Sequence, residues 1–198
     1  MSVSRETKDL LIQYEALLRR WNLKINLVSP NDMTTLTSRH IQDCLQLADL
    51  APVAAGHWVD LGSGGGLPGL VVAFSKVHTG TRFTLVESDQ RKATFLRQVI
   101  RETNLKNAVV LSQRIECVEP LKADIISARA LAGLPDLMPY LARHLSQNGR
   151  AFLLKGKKWR AELRDAQEQW DFLWTAHPSK TQEEAAILEI SKVSYGAK

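Results

Sequence analysis

The chain has 198 residues, room for one sizeable domain or a domain with a small extension. Hydrophobic residues make up 44% and charged residues 24%, the balance of a globular protein, and no apolar run is long enough to cross a bilayer. A net charge of +5 permits a nucleic-acid partner without requiring one, and the two cysteines, Cys44 and Cys117, stand far apart with no C-x-x-C, which argues against a disulfide framework and against a metal site.

The amino terminus lacks the apolar core of a signal peptide, so a cytoplasmic location is expected. Residues 4–21 carry Leu10, Tyr14, Leu17, Leu18 and Trp21 at helical spacing, one apolar stripe for packing on a core. Asn22 and Asn26 follow, poor helix formers and good backbone partners in turns. Pro30 marks a break, and a second helix is expected over 33–50, with Ile41, Cys44, Leu45 and Ala48 on its buried side. On it Arg39 and Asp43 are four apart, a spacing that suits a surface ion pair, and His40 lies three from Asp43.

From residue 58 the pattern changes. Short β-rich runs (58–61, 82–87, 108–112, 124–127, 150–154) alternate with helical runs (68–76, 90–104, 133–144, 158–170). Strict alternation predicts an α/β fold with a parallel sheet covered on both faces. The last two strands, 171–176 and 185–192, have a gap too short for a helical crossover and should be antiparallel. The division expected is a helical extension over 1–52 and a wound-sheet domain over 53–198.

The organising stretch is 59–69, strand, glycine turn and helix start in succession. Gly64, Gly66 and Gly69 match G-x-G-x-x-G, and Glu87 ends the next strand about twenty residues on, where a carboxylate meets ribose hydroxyls. In such a sheet the ligand lies beyond the carboxyl ends of the strands. Five endings should therefore converge: Gly62-Ser63-Gly64 with Leu67 beyond, Glu87, Ile115-Glu116, Arg129, and Lys155 with Lys157, Lys158 and Arg160 after it. Each also has an ordinary structural reading, as a turn, a helix-start carboxylate or a solvated basic loop. No second glycine-rich turn and no P-loop appear, so a dinucleotide fits poorly, and a single nucleoside such as S-adenosylmethionine fits better.

In this order the residues resemble the RsmG (GidB) family of bacterial methyltransferases, which methylate N7 of a guanine in 16S rRNA. The likeness covers Trp21-Asn22 with Asn26-Leu27, Arg39-His40 with Asp43, 60–69 with its Leu-Pro-Gly ending, Glu87-Ser88, Arg114 with Glu116, Arg129-Ala130 and Leu154-Lys155-Gly156. It implies a seven-stranded, Rossmann-like methyltransferase sheet, S-adenosylmethionine as cofactor, and 16S rRNA or the small ribosomal subunit as partner, with no membrane and no metal. It implies cofactor contacts at Gly62, Leu67, Ile115, Glu116 and Arg129, with Glu87 near the ribose and Ser63 and Gly64 in the same turn. Guanine N7 has a lone pair and no proton, so no general base is singled out. Lys155, Lys157, Lys158 and Arg160 are expected on RNA phosphates, and Arg39 and His40 on RNA or as a lid. A non-catalytic RNA-binding protein of this fold, a methyltransferase for another substrate, and a nicotinamide-dependent oxidoreductase are the competing readings.

Overall fold

In the computed structural model the described residues are 3–52, 56–75 and 80–196, without the side chains of residues 31 and 32. The expected domain boundary after residue 52 adjoins residues 53–55, and the expected helix end at residue 76 falls in 76–79; both lie outside the described residues.

Helix α1 (Arg5–Asn22) is capped by Ser4, whose Oγ accepts the Thr7 amide at 3.1 Å. It buries Leu11, Tyr14, Leu17 and Leu18 along one stripe, each apolar side chain contributing about 2 kcal/mol. Asn22 then staples the following loop. Its Oδ1 accepts the amides of Leu27 (2.8 Å) and Val28 (3.0 Å), and its Nδ2 donates to the Val28 carbonyl.

The single helix expected over 33–50 is three pieces: α2 (Pro30–Thr34), a π-helical turn (Leu36–Ile41) and α3 (Gln42–Leu50). Thr34, Thr35, Thr37 and Ser38 hold helix weakly, and the Thr35 carbonyl accepts from both Arg39 and His40, the latter the i→i+5 pattern. The expected buried residues, Ile41, Cys44, Leu45 and Ala48, are buried.

The sheet has seven strands: β1 (His57–Leu61), β2 (Arg82–Val86), β3 (Ala108–Leu111), β4 (Ala123–Arg129), β5 (Leu145–Lys155), β6 (Trp170–Pro178) and β7 (Ala186–Tyr195). Their order is β3-β2-β1-β4-β5-β7-β6. The first five are parallel, and β7 runs antiparallel to both β5 and β6. Between them lie α4 (Gly69–Phe74), α5 (Gln90–Glu102), a 3₁₀ turn (Ile115–Cys117), α6 (Leu134–His144) and α7 (Trp159–Gln167).

Alternation along the strands serves two cores. Val59, Leu61, Ile126 and Leu153 meet α6 and α7 on one face. Trp58, Phe83, Ile125 and Phe152 meet α3 and α4 on the other, and Leu85 joins α1, α4 and α5 there. Strand order reverses between β1 and β4, because the chain lays β2 and β3 on one side of β1 before crossing to β4. A crevice at the carboxyl ends of the strands opens at that reversal.

Candidate active site

The glycine turn after β1 forms the floor of this crevice. Gly62 and Gly64 take φ of +64° and +51°, which side chains resist, and a Cβ on Gly62 would lie 2.5 Å from Leu131. Glu87, at the end of β2, closes on the turn: its Oε2 accepts the Gly64 amide at 2.8 Å and its Oε1 accepts the Asp89 amide at 2.8 Å. Asp89 in turn caps α5.

Beneath the turn, Asp60 is buried. Its Oδ1 accepts Ser127 Oγ at 2.6 Å, and that hydroxyl accepts Trp58 Nε1 at 2.9 Å. Burial pushes the Asp60 carboxyl up to about 6. Tyr14 reaches the turn from α1 and donates to the Gly65 carbonyl at 2.6 Å. Burial raises the Tyr14 phenol well above its usual range and pushes the Cys44 thiol up to about 12, so both stay protonated and serve packing.

Arg129, from the end of β4, reaches across to the π turn, where its Nη2 meets His40 Nδ1. Among the described residues its buried Nη1 has no hydrogen-bond partner.

The crevice measures about 350 Å³. Gly62, Ser63, Gly64, Leu67, Glu87 and Arg129 line it together. Leu27, Val28 and Ser29 form a wall that was not among the expected cofactor contacts, although Leu27 belongs to the Asn26-Leu27 likeness. They arrive through the Asn22 staple, whose reach of five and six residues was a second available signal. Lys92 lines the rim.

Ile115 and Glu116 stand apart from this lining. Ile115 packs into the core beside Val118 and α6, with its carbonyl accepting His144 Nε2 at 3.1 Å, and Glu116 is exposed. Lys155 also departs from its expected company. It is 9% exposed, donating to Glu162 Oε2 at 2.8 Å and to the Ala132 carbonyl at 2.7 Å, whereas Lys157, Lys158 and Arg160 are exposed. A carboxylate seven residues along fixes its ammonium inward. The expected Arg39–Asp43 surface pair is not what forms. Arg39 donates to Gln182 Oε1 at 2.6 Å, and Asp43 accepts Ser179 and Thr181 hydroxyls. His40 is buried, not at the surface.

A family model described as rRNA small subunit methyltransferase G matches residues 7–187. The chain is 52% identical over 195 residues to a protein named ribosomal RNA small subunit methyltransferase G of Paracoccus denitrificans, covering 98% of this chain and 100% of the relative. The chain belongs to the rRNA small subunit methyltransferase G family. Solved structures share the fold of this family member at lower identity. A mutant of MtNAS in complex with S-adenosylmethionine aligns with a TM-score of 0.63 at 19% identity, covering 94% of this chain and 76% of that one. A TehB-like SAM-dependent methyltransferase from Corynebacterium glutamicum aligns with a TM-score of 0.61 at 16% identity, covering 92% and 99%.

The crevice of this family member fits a nucleoside cofactor on its own features. A carboxylate sits on the glycine turn, and the turn presents backbone where any Cβ at Gly62 would intrude. Among the described residues no group of three or more His, Cys, Asp or Glu side chains is placed to hold a metal ion, and no helix is long and apolar enough to cross a membrane.

Proposed function

We propose that this protein transfers a methyl group from S-adenosylmethionine to N7 of a guanine in 16S rRNA of the small ribosomal subunit. The observation that carries the reading is the joining of Glu87 to the Gly64 amide at the strand-order reversal, in a chain of this family. Gly62, Ser63, Gly64 and Leu67 hold the cofactor against backbone, Glu87 takes its ribose hydroxyls, and Arg129 faces its amino-acid carboxylate. Ile115 and Glu116, one strand further along the same sheet edge, are assigned to the adenine.

Bound there, the cofactor supplies an electrophilic sulfonium methyl. Guanine N7 offers a lone pair without a proton, so no residue has to remove one. The protein's contribution is alignment and exclusion of water. The exposed cations Lys157, Lys158 and Arg160 meet RNA phosphates. Arg160 is additionally held over the Trp159 ring at 4.3 Å. The working compartment is the cytoplasm, with the ribosomal subunits.

The test is incorporation of labelled methyl from S-adenosylmethionine into small ribosomal subunits and into free rRNA, with the position mapped by cleavage chemistry specific for 7-methylguanine. Label at guanine N7 supports the reading. RNA binding without incorporation would make this a non-catalytic member, and label in a small molecule or protein would move the substrate class.

A further inference from the structure

A second crevice, of about 310 Å³, opens beside the first, and Arg129 and Ala130 line both. Asp43, Ser179 and Gln182 line the second alone. Its size is at the low end for small-ligand sites, roughly 300–1,000 Å³, which suits one base rather than a duplex. We propose that this second crevice receives the target guanine, turned out of its RNA, and that Asp43 reads the base's N1–N2 edge. The inference rests on the guanine-N7 reading above and deepens it.

The argument begins with the shared wall. Methyl transfer requires N7 to face the cofactor crevice, and Arg129 and Ala130 are the residues common to both spaces. The N7–O6 edge and the N1–N2 edge of guanine are neighbouring edges that meet at O6 and face different directions. A base with N7 toward the shared wall leaves N1–H and the N2 amino group facing away from that wall, where the residues that line the second crevice alone can meet them.

Asp43 is suited to that edge. Its Oδ1 accepts the hydroxyls of Ser179 at 3.0 Å and Thr181 at 2.6 Å. Among the described residues its Oδ2 has no hydrogen-bond partner. A carboxylate oxygen only accepts, and guanine offers two donors side by side, at N1 and N2. Adenine offers an acceptor at N1 and would meet the carboxylate poorly.

Each cation of this crevice has at least one partner inside the protein. Arg39 donates to Gln182, Lys155 to Glu162 and Ala132, and Arg129 meets His40. Asp43 and Glu162 also face in, so the lining offers acceptors as well as cations.

Asp43→Asn separates reading from anchoring. The amide retains an oxygen for the Ser179 and Thr181 hydroxyls but turns the second acceptor into a donor, which opposes N1–H and the N2 amino group. The companion variant, Ser179→Ala with Thr181→Ala, removes the anchor and leaves the carboxylate.

The experiment measures methyl transfer into small subunits reconstituted with rRNA that carries guanosine or inosine at the acceptor position. Inosine keeps N7 and N1–H and lacks the N2 amino group. The wild-type protein should prefer guanosine by about tenfold, the loss expected for one charge-assisted hydrogen bond. Asp43→Asn should lose about ten- to a hundredfold in kcat/KM on guanosine, with the guanosine-to-inosine ratio falling toward one. The double alanine variant should keep the ratio whatever its absolute rate. Equal rates on both bases by the wild-type protein would overturn the proposal without any variant, as would an unaltered ratio in a folded Asp43→Asn. No transfer to guanosine N7 by the wild-type protein would instead overturn the guanine-N7 reading itself.

Discussion

Tyr14 on α1 donates its phenolic proton to the Gly65 carbonyl at 2.6 Å, 51 residues along the chain. The N-terminal helix is thereby fastened to the backbone of the ligand turn. Tyr14→Phe removes the donor and keeps the ring, whose centroid lies 5.8 Å from that of Phe74. Its expected cost is about 1–2 kcal/mol, because the buried carbonyl loses a partner. A urea titration reads that loss, and titration calorimetry should show weaker S-adenosylmethionine binding as the turn loosens. Unchanged values in both would mean that α1 does not support the turn.

Glu87 is tied into the same turn through Gly64 and Asp89. Glu87→Ala removes the acceptor for both amides and the proposed ribose contact together. Affinity for S-adenosylmethionine should fall tenfold or more by titration calorimetry. A variant that binds the cofactor as tightly as the wild-type protein would remove Glu87 from the ribose role.

Lys155 and the cations that follow it play different parts. Replacing exposed Lys157 and Lys158 with Ala should lower RNA affinity and flatten its dependence on salt, with the logarithmic slope shrinking by about 1.5–2 for two phosphate contacts. Glu162→Ala strips the buried Lys155 ammonium of its carboxylate, and the Leu134 amide of its acceptor. That change should destabilise the fold by about 2–4 kcal/mol with the RNA salt slope unaltered. If Glu162→Ala changed the slope and the double lysine variant did not, the two roles would be reversed.

Asp60 gives the protein an unusual pH response. Its folded carboxyl titrates at about 6, and an unfolded one near 3.9. Between these values the folded state holds the proton more tightly, so the stability contribution of this group falls as pH rises from about 4 to 6 and the cost is complete above that. A two-unit shift corresponds to about 3 kcal/mol. Asp60→Asn removes the titration while its side-chain oxygen still accepts from Ser127. Denaturation across about pH 4 to 7 should show the variant gaining on the wild-type protein by about 2–3 kcal/mol. Parallel pH profiles would show that Asp60 does not titrate in this range.

The residue pattern legible before folding was the local one. Short β-rich runs in alternation with helical runs identified the five parallel strands and their helices. The short gap before Ala186 predicted the antiparallel β6–β7 pair, and the glycine turn with Glu87 marked the crevice. These signals are local because backbone torsions, turn residues and face alternation are set within a few residues. What was missed was partly local, the weak helix formers Thr34, Thr35, Thr37 and Ser38, and partly set by distant partners. The helix over 33–50 is broken by a π turn that carries His40 inward to Arg129, 89 residues away. The resemblance pointed to Arg39, His40 and Arg129 but not to the Arg129–His40 contact or to Gln182 as the partner of Arg39.

By itself the sequence determined the kinds of element, their order, and the turn on which a nucleoside cofactor can rest. Only the tertiary structure decided which polar groups are spent inside the protein and which face a ligand. Lys155 was taken up by Glu162, and Arg39 by Gln182, 143 residues distant. Strand order brings such partners together. A charged side chain seeks whichever opposite or hydrogen-bonding group lies nearest once water is excluded, and that neighbour depends on the whole path of the chain.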